Sequence, residues 1–592
     1  MGTDTTALLT RRPCLAAFGS EAERLALRCA PDTPLILCDG NGVAEAIAEA
    51  ARRRRAGESY LVMPVLHDNL ALAARDAAQA FYAQYRHPDD LRHTFEALLT
   101  GQLMFNGQMI TQINLYPTEV LQALREFMQF GDGLAARSAF DRQRIEATLG
   151  RKRTYVALAP IVDRTLQIPF ARRGAHRVVV WAPDEAAERL AIFSYALRDL
   201  KRPAIFVCKG SIPESPHEFV APEQADDALH EAGIIVDVQP SDPGTILAFA
   251  EHGYALVAAE NSGAQEYIQG LETYQSHNFL SISAAVSRAQ ARNRTALRSL
   301  PDFESTIAQT IEIAQPIIPS EAPLVSMVIP TYNRRQELQT SLNHFAKQTY
   351  PNFEVIVVND CGEDVSDLVA RYPFARYLKT PHNMGSNKAV NVGVRASQGA
   401  FVGVIADDDL NYPAQIATLA TALHASGLGV AHGNILIRLD TVKADGSMAT
   451  YGHHLTHDGD LDAMAVHWGM VIHAQGYLVR REIFEQIGCL GEDLRCTSDL
   501  DSIIRLSKIS DFAHVNVLTG EMAYRDNRSN LSSRVGAELA SEIETVLLNH
   551  APADQPLITQ RIEAAVRGVA HAQQGVFFRA WVPLVQPVLL PE

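Results

Sequence analysis

The sequence predicts a multidomain α/β protein that contains parallel, doubly wound sheets. Two stretches, residues 175–290 and 323–540, alternate apolar strands with amphipathic helices, which is the pattern of a parallel sheet covered by helices. The chain has 592 residues, a length typical of about three or four domains. Hydrophobic residues make up 47% of the chain and charged residues 20%, an ordinary balance for folded domains with substantial cores.

The composition argues against several classes of protein. A net charge of −16 disfavours nucleic acid as the main partner, because binding a phosphate backbone needs a basic face. The seven cysteines are scattered without a CxxC pair, which is typical of free thiols in a reducing compartment. No run of ~18 apolar residues and no signal peptide are found. We therefore expect a cytoplasmic protein, with peripheral membrane contact and oligomeric state left open.

The first half of the chain predicts two regions and a linker. Residues 1–150 predict an α/β or mostly helical region. Residues 151–290 predict a Rossmann-like domain, with the strands "HRVVVWAP", "PAIFVCKG", "GIIVDVQP" and "YALVAAEN". Asp184 is the expected N-cap of the helix after the first of these strands. Residues 291–322 predict a helical, Pro-rich linker, because closely spaced prolines cannot continue a helix. The tail, residues 541–592, is expected to begin as a helix.

Three predicted strands of the second half end in polar residues. The strands are "VSMVIPTYN", "FEVIVVNDCG" and "AFVGVIADDD". Their polar tips are Thr331-Tyr332-Asn333, Asn359-Asp360 and Asp407-Asp408-Asp409. Because ligands of open α/β sheets bind at the carboxyl ends of the strands, we expect these tips to line one crevice.

The aspartate run at 407–409 needs a positive partner, since adjacent like charges repel one another strongly in a low dielectric. Carboxylate oxygens are hard ligands of the kind that Mg²⁺ and Mn²⁺ prefer. A divalent ion bridging a diphosphate would stabilise that group as it departs. Tyr332 could stack on a nucleobase, and Asp360 could accept hydrogen bonds from it. The tips therefore predict a site for a metal and a nucleoside diphosphate.

These blocks resemble the family 2 glycosyltransferases, which have the GT-A fold. The resemblance runs from "VSMVIPTYNRRQELQTSLNHFAKQTYPNFEVIVVNDCGED" through "HNMGSNKAVNVGVRASQGAFVGVIADDDLNYP" and covers about a third of the chain. It implies that residues 323–540 contain a GT-A domain, a Rossmann-like nucleotide-diphospho-sugar transferase, with its active site within 323–535. The implied ligands are an NDP-sugar donor and Mn²⁺ or Mg²⁺, and the implied reaction transfers the sugar with inversion.

The resemblance also implies roles for individual residues. The implied donor-binding residues are Thr331, Tyr332, Asn333, Asp360, Lys388 and Asp407, with Asp407 on the ribose. Asp408 would be the primary metal ligand, with Asp409 beside it. The chain departs from the family pattern at Ala406, where many members have aspartate, and at Val390, where many have arginine. Lys388 would supply the positive charge that Val390 lacks.

A later block, "GYLVRREIFEQIGCLGEDLRCTSDLDSIIRLSK", resembles the part of the family that supplies the catalytic base. An inverting transfer needs a base that takes the proton from the acceptor hydroxyl. The resemblance assigns this role to Asp499, with Asp501 positioning it or capping the helix. The alternative that Ser498-Asp499 is only a helix N-cap stays open.

Two further patterns are open to more than one interpretation. The segment 233–268 faintly resembles the donor-binding half of GT-B glycosyltransferases, with Gly263 and Glu266 in place but Ala248 where an acid is expected. This implies lost or altered donor chemistry, although any Rossmann-like unit would show a similar periodicity. The run "YGHHLTHDGDLD" gathers His453, His454, His457 and Asp458, either as a zinc site or as a loop facing the acceptor.

The combined prediction is a metal-dependent inverting glycosyltransferase. It would move a sugar from an NDP-sugar to a glycan, lipid-linked or protein acceptor, in bacterial surface polysaccharide or glycoconjugate synthesis. One alternative is a non-catalytic scaffold with a degenerate transferase fold, and another is a bifunctional protein with two transferase domains. A nucleotidyltransferase is disfavoured, because "IPTYNRRQE" lacks a Gly-rich phosphate loop.

Overall fold

The computed structural model divides the chain into two compact units. The first contains Met1–Ala48 and Ser59–Ala314, and the second contains Glu49–Glu58 and Gln315–Glu592. The structure describes residues 14–65, 103–105, 108–110, 123–125, 127–149, 155–172, 175–238, 243–260, 262–275, 278–291, 295–443, 448–455, 472, 474–495, 497–525, 542, 545–546 and 548–550.

The first sheet of the first unit has five parallel strands in the order β1-β2-β3-β6-β7. The strands are β1 (Ala16–Phe18), β2 (Leu35–Cys38), β3 (Leu61–Pro64), β6 (Gly133–Ala136) and β7 (Val156–Leu158), with the hairpin β4 (Leu103–Phe105) and β5 (Gln108–Ile110) between them. The helices are α1 (Ser20–Ala26), α2 (Val43–Ala56) and α3 (Ala139–Leu149). Strands β2, β3 and β6 are buried throughout, which is typical of a parallel sheet covered on both faces.

The second sheet of this unit has six parallel strands in the order β10-β9-β8-β11-β12-β14. The strands are β8 (Arg177–Ala186), β9 (Ile205–Lys209), β10 (Glu218–Val220), β11 (Ala232–Asp237), β12 (Ala255–Ala259) and β14 (Glu272–Tyr274), with the separate pair β13 (Ile268–Gln269) and β15 (Ala296–Leu297). The helices are α4 (Ala191–Ala196), α5 (Ala225–Glu231), α6 (Pro243–Glu251), α7 (Phe279–Ala291) and α8 (Phe303–Ala314). Because the strand order reverses direction between β8 and β11, this is a doubly wound sheet, and the predicted fold class is confirmed.

Two local features of the first unit differ from a simple strand and helix alternation. The prediction that Asp184 is a helix N-cap is wrong, because Asp184 lies inside β8 and the α-helix begins only at Ala191. Pro183 favours an extended conformation in the residue before it, which helps β8 to continue.

The helix α8 packs Phe303 and Ile307 into the core of the first sheet. The predicted domain limits themselves stay predictions.

The second unit contains one large mixed sheet. Its strands are β16 (Val325–Thr331), β17 (Phe353–Asn359), β18 (Ala375–Lys379), β19 (Phe401–Val404), β20 (Leu410–Asn411), β21 (Val430–Val442), β22 (Met448–Leu455), β23 (Tyr477–Arg480) and β24 (Phe512–Arg525). Their order is β18-β17-β16-β19-β23-β21-β24-β20, with β22 paired to β21. The helices are α9 (Arg335–Phe345), α10 (Ser366–Val369), α11 (Ser386–Ala396), α12 (Gln415–Ser426), α13 (Arg481–Gln486) and α14 (Ser498–Ser507).

The alternation of side chains along β16 builds a core on each face of this sheet. Met327 and Ile329 pack into one core with Leu338 of α9, whereas Val328 packs into the other core with Val390 of α11. Val390, which departs from the family pattern, is therefore a core residue. β16 and β19 are neighbours and run parallel to each other. The order in which successive strands are added to the sheet changes direction between them. The carboxyl ends of β16, β17 and β19 thus meet at one edge, where a ligand crevice is expected.

The helix α11 is joined to the chain after α13 by a buried amide. Asn391 accepts a hydrogen bond from the N–H of Leu490 and donates another to its C=O, each at 3.0 Å. The same amide donates to Glu492 at 3.1 Å. Because Asn391 is fully buried, these contacts fix the segment 490–492 against the helix.

We expect Asn391→Ala to loosen this junction by about 2 kcal/mol, because the buried backbone groups of Leu490 lose their partners. Hydrogen exchange of the peptide containing Leu490 should then become roughly 30-fold faster, as measured by mass spectrometry. Arg395→Ala is the control, since it removes only an exposed ion pair with Glu492. Equal exchange in the two variants would contradict the expectation.

Candidate functional site

The tips of β16 and β19 are in direct contact. The hydroxyl of Thr331 donates a hydrogen bond to Asp407 Oδ2 at 2.8 Å, and both residues are buried. This contact follows from the pairing of the two parallel strands, which brings their carboxyl ends to one edge. Two residues predicted for the donor site are therefore brought together, while their role stays a prediction.

Two arginines supply positive charge to the aspartate run. Nη1 of Arg334 lies 3.1 Å from Asp407 Oδ1 and 3.0 Å from Asp408 Oδ2. Nη1 of Arg525, at the end of β24, lies 3.2 Å from the same Asp408 oxygen. Arg334 and Arg525 therefore provide part of the positive charge that the sequence analysis predicted beside the aspartates. Arg334 directly follows the tip of β16, but its spacing from 407–408 along the sequence gave no sign of this contact.

The two arginines do not fully offset the cost of burying ionised carboxylates in the aspartate run. Burial raises the pKa of Asp407 to about 6, with the neighbouring charge of Asp408 adding to the rise against the opposing effect of Arg334. Burial also raises the pKa of Asp409 well above its ordinary value, with Asp408 again adding to the rise. Raised pKa values indicate that the ionised carboxylates are incompletely compensated. An additional cation would favour their ionised forms.

The predicted metal ligands differ in their surroundings. Asp408 contacts the two arginines at the crevice, whereas Asp409 is more enclosed and accepts a hydrogen bond from the backbone of Ala523. Among the described residues, no three His, Cys, Asp or Glu side chains are grouped so that they could hold a metal ion. Mg²⁺ is usually held by one or two carboxylates together with phosphates and waters. The carboxylates present are compatible with a cation that enters with a diphosphate, and the role of Asp408 as its ligand stays a prediction.

Asp360 holds the turn that precedes α11. Its carboxylate accepts hydrogen bonds from the N–H groups of Met384 and Gly385, each at 2.8 Å, and from the hydroxyl of Thr380 at 2.9 Å. Gly385 has a φ of 91°, a conformation that favours glycine. A carboxylate offers about four acceptor positions. Three of them are used, so the predicted base contact of Asp360 would need the remaining one.

The other predicted donor residues surround this turn. Tyr332 is 48% exposed, so its ring face is accessible. Asn333 has a φ of 56° and accepts a hydrogen bond from the N–H of Glu363 at 2.7 Å, which ties the first tip to the loop after β17. Lys388 is half-buried in the first turn of α11. A hydrogen bond from Asn391 lowers the pKa of Glu492, and the charge of Lys388 contributes to this lowering.

Asp499 lies in the first turn of α14. It is half-buried, and its Oδ1 accepts a hydrogen bond from the N–H of Leu500 at 2.8 Å. The residue therefore does satisfy a donor of the helix start, as the capping alternative expected, although the N-cap itself is Thr497. Burial raises the pKa of Asp499 to about 6. A partly exposed carboxylate with this pKa suits a general base near neutral pH.

The start of α11 is also bonded to the start of α14. Asn387 accepts a hydrogen bond from the Ser498 hydroxyl at 2.9 Å and donates to the C=O groups of Gly491 and Leu494. Sequence reasoning missed this residue. Its only sign was the unusual number of asparagines in "HNMGSNKAVN". The contact places Asp499, which directly follows Ser498, close to the helix that borders the predicted donor site.

In the first unit, Glu266 is engaged in a structural contact. Its carboxylate accepts hydrogen bonds from the N–H groups of Ala139 at 2.8 Å and Phe140 at 3.0 Å, at the start of α3. Gly263 approaches the same place so closely that an added Cβ would lie 2.4 Å from the Ser138 hydroxyl oxygen. Ala248 is buried in α6. Glu266 thus caps a helix next to the first sheet, which disfavours a second donor site that depends on its carboxylate.

Several predicted features fall beyond what the structure describes. The histidine-rich run has His453 and His454 in β22 without described side chains, and His457 and Asp458 lie outside the described residues. The tail beyond residue 550 also lies outside them. Within the described part of the chain, every helix is too short or too polar to span a bilayer.

Comparisons with known proteins point to one family. The family model described as "Glycosyl transferase family 2" matches residues 326–488. An uncharacterized glycosyltransferase of Bacillus subtilis (strain 168), YwdF, is 26% identical over 235 residues, which cover 39% of this chain and 86% of the relative. An uncharacterized glycosyltransferase of Haemophilus influenzae is 25% identical over 218 residues, which cover 36% of this chain and 71% of the relative.

Two solved structures illustrate the similarity of this chain to known folds. S. aureus TarS 1–349 in complex with UDP is 18% identical, with a TM-score of 0.32, over 42% of this chain and 72% of that chain. The mannosyltransferase PcManGT from Pyrobaculum calidifontis, in complex with GDP-Man and Mn²⁺, is 14% identical, with a TM-score of 0.32, over 45% of this chain and 75% of that chain.

We expect Glu266→Ala to destabilise the first unit by about 1–2 kcal/mol, because two N–H groups at the start of α3 lose their acceptor. Differential scanning calorimetry should show a lower melting temperature for this variant. The control is Glu260→Ala, which removes an exposed carboxylate close by in the same loop. A melting temperature equal to that of the control would contradict the capping role.

Proposed function

Residues 326–488 form a family 2 glycosyltransferase domain, and from this premise we propose a metal-dependent transfer of a sugar, with inversion, from an NDP-sugar. The observation that carries the proposal is the charged cluster at the edge shared by β16 and β19. There Thr331 binds Asp407, and Asp408 faces two arginines. Such a cluster at a strand switch point suits a ligand that carries a diphosphate.

The donor is bound by residues of the three strand tips and the start of α11. Tyr332 offers an accessible ring on which a nucleobase stacks, and Asp360 offers its remaining acceptor position to the edge of that base. Asp407 lies next to Thr331 and accepts from the ribose. Asn333 shapes the loop beside the base, and Lys388 adds positive charge near the phosphates.

Asp408 would hold the divalent cation, Mn²⁺ or Mg²⁺, with Asp409 as the neighbouring carboxylate. When bound, the cation supplies Lewis-acid stabilisation of the departing diphosphate. Arg334 and Arg525 already lie at the same carboxylate, so both guanidinium groups are within reach of a phosphate bound there. Their fixed charges stabilise the leaving group without reorganisation at the moment of reaction.

Asp499 acts as the general base. The acceptor hydroxyl gives its proton to this carboxylate while its oxygen forms a bond to the anomeric carbon of the sugar. The bond from that carbon to the diphosphate breaks on the opposite face, and the electron pair leaves with the diphosphate. Because its pKa is about 6, Asp499 is mostly ionised at neutral pH and remains basic enough to take the proton.

The acceptor is a glycan, a lipid-linked sugar or a protein, and the product belongs to bacterial surface polysaccharide or glycoconjugate synthesis. This assignment rests on the family resemblance, and the cytoplasmic location stays a prediction. Ala406 is exposed and stands where many family members have aspartate. The missing carboxylate at this position favours the alternative of a non-catalytic scaffold. Ligand binding and turnover distinguish the two functions.

We expect Mn²⁺ with UDP or GDP to raise the melting temperature by about 2–4 °C, because these ligands bind only the folded domain. Asp408→Asn should abolish the part of this shift that depends on Mn²⁺. The control, Asp367→Asn, removes an exposed carboxylate that pairs with Arg335 and should keep the shift. If neither nucleotide changes the melting of the native protein, the proposed donor site is refuted.

We expect Asp499→Asn to reduce nucleotide release from NDP-sugars by about 100-fold or more, because the amide cannot accept the proton. A panel of UDP-glucose, UDP-GlcNAc and GDP-mannose supplies the donor, and release of UDP or GDP is the measurement. The Mn²⁺-nucleotide melting shift should persist. Asp493→Asn, an exposed neighbour, is the control. Release at the native rate by Asp499→Asn would rule out this base.

The pH dependence offers an independent check on the base. At saturating donor, the rate of the native protein should fall about tenfold per pH unit below pH 6, as Asp499 becomes protonated. Because the pKa of Asp407 is also raised to about 6, donor affinity must be measured separately at each pH. A rate at saturating donor that does not change between pH 5 and pH 8 would contradict the assignment.

A further inference from the structure

Described residues of the segment 542–550, namely Glu542, Val546 and His550, contact α14 or the turn before it, far beyond the segment that the family model matches. Glu542 Oε1 accepts a hydrogen bond from the N–H of Arg495 at 2.8 Å. Its Oε2 accepts two more from Thr497, from the N–H at 3.2 Å and from the hydroxyl at 3.0 Å. One carboxylate therefore holds the turn that leads into α14.

This turn is held by side chains from outside α14, with Asn387 bonded to Leu494 and Ser498 and Glu542 bonded to Arg495 and Thr497. Thr497 is the N-cap of α14, but its side chain makes no capping bond to the helix, because its hydroxyl is directed to Glu542. Asp499 follows only two residues later. Since the backbone direction at the N-cap sets the orientation of the first helical turn, Glu542 controls where the Asp499 carboxylate lies. A negative charge at this end also interacts favourably with the helix dipole.

Two further contacts hold the segment on α14. Val546 is buried in the core that contains Leu500, Ile503 and Ile504 of the helix. His550 Nε2 lies 2.9 Å from Asp501 Oδ1. The segment is thus attached by an apolar contact in its middle and by polar contacts near both ends, so Glu542 has a defined position relative to the helix.

We propose that Glu542 is a positioning residue for the catalytic base, and that Glu542, Val546 and His550 together are a structural part of the acceptor side of the active site. The inference rests on the proposed function, in which Asp499 is the base. Glu542 does not touch the donor or the reacting atoms. It acts through Thr497 by keeping the first turn of α14 in the orientation that proton transfer requires, which is sensitive to displacements of about 1 Å.

The test compares Glu542→Gln in the full chain with Glu485→Gln, which removes an exposed carboxylate on α13. The assay is nucleotide release from the most active donor among UDP-glucose, UDP-GlcNAc and GDP-mannose, with Mn²⁺. We expect Glu542→Gln to lower kcat about tenfold or more, with the affinity for the Mn²⁺-nucleotide changed by less than about twofold. The acid limb of kcat should move to lower pH as Asp499 becomes less enclosed. Glu485→Gln should match the native protein.

A matched pair at Thr497 keeps the proposal testable if Glu542→Gln fails to fold. Thr497→Ser retains the hydroxyl that Glu542 binds, whereas Thr497→Val removes it at nearly constant volume, so only the valine variant should lose kcat. Native kcat in Glu542→Gln and in Thr497→Val would overturn the inference. A joint loss of kcat and nucleotide affinity would also overturn it, since that indicates general unfolding. If Asp499→Asn itself releases nucleotide at the native rate, the proposed function fails instead.

Discussion

The start of α11 is held from two sides, and the rest of the candidate site depends on this constraint. On one side, the Asp360 carboxylate binds the N–H groups of Met384 and Gly385. On the other side, Asn387 binds Ser498 at the start of α14. Because only a few residues separate these contacts, one rigid stretch of backbone sets the distance between the strand tips and Asp499. In the proposed function, donor binding and proton transfer therefore depend on the same local geometry.

The negative charges at the strand edge are partly balanced by arginines of the same chain. Three consecutive aspartates would be strongly unfavourable if each were buried without compensation. Arg334 and Arg525 provide part of that compensation, while Asp407 and Asp409 keep raised pKa values. The arginines therefore offset part of the repulsion within the cluster, and the proposed cation would favour the ionised forms of Asp407 and Asp409. A site of this kind is preorganised for a ligand that combines a cation with a diphosphate.

Sequence patterns predicted the sheets because apolar runs and helical periodicity are local properties. The convergence of the tips was also predictable, since parallel strands end at a common edge, and Thr331 does contact Asp407. Contacts between distant side chains were not predictable, as the two arginines at Asp408 illustrate. The sequence context of Glu266 fits a donor site, whereas its carboxylate caps a helix, a contact that the local sequence does not reveal. Glu542 escaped notice because it lies 45 residues beyond Thr497.

The late position of Glu542 in the chain has a consequence for biosynthesis. The ribosome releases residues from the amino terminus onward, so the strand tips can assemble while the segment 542–550 is still being synthesised. During that interval the turn before α14 lacks the carboxylate that holds it. Under the proposed function, a nascent chain at this stage carries the donor-binding residues before its general base is held in place. Synthesis through Glu542 is then the step that completes the active site.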